Sequence, residues 1–567
     1  MSSQKIILFS FFFSFFFSNA QENDSLPKKD YGRVYGGFES NAQWYLNDKE
    51  MGTIHPEDPI RSNSYLFVNY QIDKWTAGVQ VEGYLKEALL NYNPNYEGVN
   101  LGTYFLNYKT SKLDLTAGHF YEQFGSGMLL RAWEARSLGI NTAILGGRIV
   151  YRPSSAIKLT ALYGQQRSGF KLSDGKIYGF DSDFLLTDAL KLENADLSVG
   201  MSYVGRYEKT DIPEPNFNEL TNSFSGRVNY SIYSFYSSLE YNYKSKDAVL
   251  DRISNTLNND FIESGNAVLF NFGYSKQGLG IDATLRRTEN MLFLSERVPT
   301  VEGDNTSLNY NDKVLNFAPA LTKQHHSLLA NIYVYQAQVG VDFKSPTILK
   351  AGETGGQIDL FYDFDKETVL GGKYGTKFSF NTSVWYNLPG EYQLTPSNYS
   401  TNFFGVGTKY YSDYNFEIKK KLSEKWHSGL VYINQYYNKP WIEDASSDVN
   451  ANIIAGEVIY NIQDTKSIRF EGEHMWADAD YKNWLGGTLE VDLNNKYSFY
   501  LLDMYNYGND NPDKRNHYYN FGGAYRINAT RIGLNYGRQR GGLVCVGGVC
   551  RFVPESTGLG LTISTSF

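Results

Sequence analysis

The feature that most constrains this chain is a two-residue alternation of apolar and polar side chains. It runs through segments of about ten residues, from Tyr31 to the end. Ile157, Leu159, Ala161 and Tyr163 alternate with Lys158, Thr160, Leu162 and Gly164. Phe235, Leu239, Tyr241 and Tyr243 alternate with Tyr236, Ser238, Glu240 and Asn242. Ile281, Ala283 and Leu285, then Leu489, Val491 and Leu493, then Ile532, Leu534 and Tyr536 repeat the pattern. A period of two places each set on its own face of a strand.

A soluble sandwich shows the same alternation, so the connections must decide. Tight turns fall at Ser154-Ser155, Lys276-Gln277-Gly278, Leu422-Ser423-Glu424, Gln463-Asp464-Thr465, Asn494-Asn495 and Asn528-Ala529. Between them lie longer polar stretches at 165–194, 207–219, 388–402 and 438–449. Short turns at one end and long loops at the other describe a membrane barrel. Aromatic pairs gather at strand ends, as at Tyr104-Phe105, Tyr410-Tyr411, Tyr436-Tyr437 and Tyr518-Tyr519, where a ring sits in lipid and its hydroxyl in water. The expectation is an all-β fold: one large transmembrane antiparallel β-barrel with short periplasmic turns and long extracellular loops. About 23 residues per strand and connection give roughly 22–26 strands. The pattern works back cleanly from Phe567 to about residue 370. Between 288 and 356 it fails, leaving open a surface loop, an inward-folded loop or an unplaced hairpin.

Residues 1–20 read as a secretory signal. Lys5 is its positive region, Ile6–Phe17 its apolar core, and Ser18-Asn19-Ala20 its cleavage site. Residues 21–30 are expected as a short flexible mature N-terminus and 31–567 as the barrel. Strand pattern from Tyr31 leaves no room for an N-terminal plug domain, and a last residue within a strand leaves none for a peptidoglycan-binding domain. Past residue 20 no run of about 18 apolar residues suggests a spanning helix. The net charge of −8 argues against nucleic acid as a partner. The expected partners are outer-membrane lipid, the barrel-assembly machinery during biogenesis, and an outer-membrane protein.

Residues 557–567, TGLGLTISTSF, set Leu559, Leu561, Ile563 and Phe567 on one face. A closing strand ending in Phe resembles the terminal signal read by the barrel-assembly machinery. Cys545 and Cys550 flank Val-Gly-Gly-Val. Gly547-Gly548 suits a two-residue hairpin turn, which makes the cysteines a non-hydrogen-bonded pair and favours a disulfide. Two free thiols are the alternative.

Residues 118–141 break strand pattern at Gly125-Ser126-Gly127, and 128–138 read as a short helix or irregular loop. Glu122, Arg131, Glu134 and Arg136 concentrate there. Folded inward, they would form a pore constriction; folded outward, a salt-bridged surface loop. Arg469, Glu471 and Glu473 face inward in the same register, as pore lining or as a packed polar network. Adjacent His325 and His326 on a strand would point to opposite faces, so no metal is expected from them. With 7 His and no elbow or zinc-helix motif, neither catalytic residues nor a cofactor are expected. Lys419-Lys420-Lys421 reads as a solvated periplasmic strand end. Asp24-Ser25-Leu26 is similar to the O-glycosylation motif of Bacteroidota.

The blocks at 118–127, 129–141, 317–326, 371–377 and 545–551 resemble a porin-like family of outer-membrane barrels of unknown function from Bacteroidota. The resemblance covers most of the mature chain and supports fold and location. It implies no substrate and no catalytic residue. After Gln338 the sequence departs from the pattern, with 342–355 reading as an insertion. The two functions compatible with these features are a porin-like channel for small solutes, and a non-conducting barrel serving as scaffold or subunit of an outer-membrane complex.

Overall fold

The computed structural model describes residues 31–85, 89, 94–136, 139–209, 218–249, 262–298, 313–443, 445–546 and 549–567. The expected signal sequence, the N-terminal segment 21–30 and Asp24-Ser25-Leu26 lie outside them.

Twenty-four antiparallel strands form a single sheet, and Arg33–Leu46 pairs with Ser556–Ser566 to close it into a barrel. The closing register runs from Gly37 opposite Ser566 to Leu46 opposite Thr557. Gly36 and Phe567 then exchange backbone hydrogen bonds of 2.9 and 3.0 Å. Closure matters because an open edge in hydrocarbon leaves unpaired N–H and C=O groups, each costing several kcal/mol. No helix among the described residues is long and apolar enough to cross a membrane.

Alternation assigns the two faces. Leu101, Met201, Phe224, Phe470 and Leu534 are exposed on the outside. Leu559, Leu561 and Ile563 lie on the same outer face, opposite Tyr536, Leu534 and Ile532 of the neighbouring strand, while Phe567 stands exposed at the strand end. The inward face carries charge, and the charges are paired. Arg167 forms a two-pronged ion pair with Glu82 across the wall. Arg227 bonds Asp181 at 2.8 Å and Ser202 at 2.7 Å.

One end of the barrel has two-residue turns at 73–74, 155–156, 233–234, 277–278, 464–465 and 528–529. Gly278 needs its positive φ of 78° to make such a turn. The other end carries long connections, of which 290–351 is the longest. The polar stretch 165–194 is not a loop: it contains the strand Lys171–Leu185, joined to Ile157–Ser168 through Gly169-Phe170. Asp174 and Lys176 stand exposed on the outer face while Ile177 points inward and is buried, so neither face reads as purely apolar.

At the long-loop end Asp48 clasps the seam. Its carboxylate accepts from Arg538 Nε at 2.7 Å, Thr557 Oγ1 at 2.8 Å and the Met51 backbone N–H at 3.3 Å. Burial pushes this carboxyl upward, but the bonds from Arg538, Thr557 and Met51 outweigh it and hold the group below the usual carboxylate range. A depressed carboxyl stabilises above its unfolded pKa and loses that contribution as pH falls through its folded value. Asp48→Asn is therefore expected to cost about 1–3 kcal/mol near neutral pH. Its thermal unfolding in detergent should fall below wild type at pH 7, and the gap should start to close below about pH 4 and vanish as pH falls through the folded carboxyl's lowered value. An equal deficit at pH 7 and below that lowered value would contradict the clasp.

Candidate functional site: two loops inside the barrel

The connection 121–143 leaves the wall at Phe120 and turns into the lumen. Gly125 and Gly127, with φ of 53° and 95°, make the bend. A Cβ at Gly125 would lie 2.8 Å from Glu240 Oε2, and the same oxygen accepts from the Ser126 backbone N–H at 2.9 Å. No helix forms across 128–135: Gln123-Phe124 pairs with Leu130-Arg131, and Glu134-Ala135 with Ile140-Asn141. Phe124, Leu129 and Leu130 are buried against Leu162, Ile177 and Val204 of the wall, and against Phe293 and Leu315.

The last two residues belong to the connection 290–351, whose described residues also fold inward. The two loops are joined through backbone: Arg131 N–H donates to the Leu315 carbonyl at 2.7 Å and Phe317 N–H to Gly127 at 2.9 Å. The Asn316 amide donates to the Met128 and Met291 carbonyls at 3.1 and 2.6 Å. From there the chain crosses to the opposite wall. His325 Nε2 lies 2.8 Å from Asp413 Oδ2. Glu473 accepts from Ser327 Oγ at 2.5 Å and from the Leu328 and Leu329 backbone N–H groups at 2.9 and 3.0 Å. Leu329, Ala330, Ile332, Tyr333 and Tyr335 then pack with Trp385, Tyr411, Ile433, Ile453 and Trp484 in the largest apolar cluster.

Glu353 fixes the returning limb. It binds Arg286, accepts from the Tyr335 hydroxyl and receives the Gln338 N–H at 2.7 Å. Burial, then the charge of Glu353, raises the Tyr335 hydroxyl well above its ordinary pKa, so it stays a donor. Within the unassigned stretch 288–356, residues 288–289 and 352–356 are wall strand, and the described part of 290–351 is an inward-folded loop carrying a short hairpin of its own, Asp342–Ser345 with Ile348–Lys350.

The four proposed constriction residues do not form one ring. Glu122 pairs with Arg148 at 3.0 Å. Arg131 lies over the rings of Trp133 and Phe317, at 4.5 and 4.0 Å, and burial lowers its pKa. Glu134 and Arg136 do come together, at 3.2 Å, and Arg136 reaches Glu39 of the first strand at 3.3 Å. Arg469 bonds Glu457 at 2.8 Å, Glu471 at 2.5 Å and Glu490 at 3.4 Å. Glu473 faces inward too, but as the anchor of the second loop. The sequence reading missed Arg286, Glu353, Asp413 and Glu240. Each is a charge at an inward position, and that is the signal that could have drawn attention to them.

The hydrogen bonds described above tie the loops to much of the wall. The sector beside the seam differs. Asn520, Gly522 and Ala524 face Gly537, Asn535 and Gly533, which in turn face Gly558, Gly560 and Thr562. This inward surface of small side chains lies next to Glu39, Glu134 and Arg136. Beneath the first loop a polar cavity of about 440 Å³ is lined by Lys158, Asp181, Arg227, Asn229 and Glu240, among others. In the long-loop hairpin Gly542–Val546 and Val549–Val553, the backbone sets Cys545 opposite Cys550; their side chains lie outside the described residues.

Residues 2–567 match the model of a family of unknown function, DUF6029. The chain belongs to that family. No curated protein matches it significantly. Among solved structures it is similar to the siderophore receptor PirA from Pseudomonas aeruginosa, at 9% identity and a TM-score of 0.42 over 95% of this chain and 81% of that one. It is also similar to OpdQ from the same organism, at 8% identity and 0.31, over 94% and 97%. An E. coli P pilus tip assembly intermediate, PapC-PapD-PapK-PapG, gives 10% identity and 0.45, over 97% of this chain and 63% of that one. At these values the likeness concerns the barrel fold alone.

The loop placement has a direct check. A Cβ at Gly486 would lie 3.3 Å from Leu329 Cγ. With Cys545 and Cys550 replaced by serine, the pair Leu329→Cys and Gly486→Cys is expected to crosslink under mild oxidation in the folded protein. Two persistently free thiols would place the loop elsewhere.

Proposed function

We propose that this barrel resides in the outer membrane and acts as a porin-like channel for small polar solutes. Transport is passive, with no chemical step, catalytic residue or cofactor. The observation that carries the reading is the contrast within the lumen: two inward loops braced against much of the wall, and a glycine- and asparagine-rich sector beside the seam. A solute would pass between that sector and Glu39, Glu134 and Arg136. A net charge of −8 favours cations weakly where it faces the pore.

The remaining parts of the reading concern biogenesis. Residues 1–20 direct export and are removed after Ala20. The face of Leu559, Leu561, Ile563 and Phe567 addresses the barrel-assembly machinery. Cys545 and Cys550 form a disulfide in the long-loop hairpin. Alkylation of both thiols only after reduction is expected; alkylation of the unreduced protein would refute the bond.

The second reading, a non-conducting scaffold for an outer-membrane protein complex, is favoured by the apolar clusters packed inside the lumen. Planar-bilayer conductance separates the two. The channel reading expects small, salt-dependent steps from the wild type. Steps should widen when 128–138 are removed, shrink in Thr562→Trp, and shift toward cations in Arg136→Ala. Silence in the wild type and in all three variants would leave the scaffold reading.

A further inference from the structure

The second loop brings a third ligand to a pair of carboxylates that the wall alone leaves in conflict. Glu457 and Glu471 are directly opposite on the neighbouring strands Val449–Gln463 and Lys466–Ala477. Like charges in that position repel. Arg469 answers only part of the charge. Its guanidinium binds the Oε2 atoms of Glu457 and Glu471, and it also neighbours Glu490. Glu473, two residues along the same face, is taken up by Ser327, Leu328 and Leu329. Three carboxylates thus share one arginine, and the Oε1 atoms of Glu457 and Glu471 take none of its bonds.

Into this site the loop inserts His326. Its neighbour His325 is buried against Asp413. The His326 ring is instead exposed, and makes no hydrogen bond with the described residues. One donor atom from each of His326, Glu457 and Glu471 lies within 4.8 Å of the other two. Donors bound 2.0–2.1 Å from a tetrahedral zinc stand about 3.3 Å apart, so a small side-chain closure completes the set. One imidazole and two carboxylates suit a borderline divalent transition ion, with a fourth position left to water.

We propose that His326, Glu457 and Glu471 form a divalent transition-metal site that fastens the second loop to the barrel wall. Sequence alone points away from this, because adjacent histidines on a strand point to opposite faces and seldom share an ion. Here His326 is on an inward loop, and its co-ligands come from two wall strands more than a hundred residues later. The site does not depend on the channel reading: a scaffold barrel would use the same fastening. A bound ion neutralises the facing carboxylates and ties the loop to both strands, so its occupancy would set how firmly the loop is held.

Titrating Zn²⁺ into chelator-stripped, folded protein tests this, with Co²⁺ as the spectroscopic probe. One equivalent is expected to bind, and Co²⁺ is expected to give the visible absorption of a low-coordinate site. His326→Ala should weaken binding at least tenfold, and the paired Glu457→Gln and Glu471→Gln should abolish it. Added Zn²⁺ should also slow amide exchange across 323–327 in the wild type and not in His326→Ala. His326 is exposed, so its loss leaves the fold intact. No binding by the wild type, or binding unchanged in His326→Ala, would overturn the proposal.

Discussion

Closure of the sheet is the constraint from which the rest follows. In hydrocarbon a strand cannot leave its backbone groups unpaired, so the strand Arg33–Leu46 must find Ser556–Ser566 across the whole length of the chain. Closure with an even number of antiparallel strands brings both ends of the described chain to the short-turn end. It also fixes which side chains see lipid and which see the lumen. Where the outer face meets lipid it reads as an apolar band; charges such as Asp174 and Lys176 stand on it toward the long-loop end.

A ring of 24 strands encloses more space than wall side chains can fill. The protein answers in two ways. Inward charges pair across the wall, as Arg167 does with Glu82 and Arg227 with Asp181. Breaking such a buried pair strands a charge, which costs more than the pair itself contributes. The two inward loops then bring their own apolar surface. Leu162, Ile177 and Val204 point into a lumen that would otherwise be wet, and they are buried because Phe124, Leu129 and Leu130 lie on them. Glu473, Asp413 and Glu353 hold the second loop by charge-assisted bonds to its hydroxyls, imidazole and backbone N–H groups, and by the pairing of Glu353 with Arg286 that braces it.

Much of the fold was legible because a period of two and a rhythm of turns are local properties. The register from 376 to 566, the tight turns and the opposition of Cys545 and Cys550 all follow from neighbours in sequence. The strand Lys171–Leu185 was lost because Asp174 and Lys176 stand on its outer face. The site was less legible. Parity says that Glu473 and Arg469 point inward, but not what meets them. Glu473 meets Ser327, Leu328 and Leu329, 144 to 146 residues earlier, in a loop with no period to read. Arg131 has the composition of a pore charge, yet its neighbours in space are the rings of Trp133 and Phe317.

The central claim is that the segments 124–132 and 315–335 belong to the interior of the barrel as firmly as its strands do. Amide hydrogen exchange of the intact protein in lipid nanodiscs tests it most directly. The account predicts slow exchange at Arg131, Phe317, Leu328 and Leu329, whose N–H groups donate inside the lumen, at rates close to those of the wall strands. Exchange at the speed of an exposed loop, with the wall strands still protected, would contradict it.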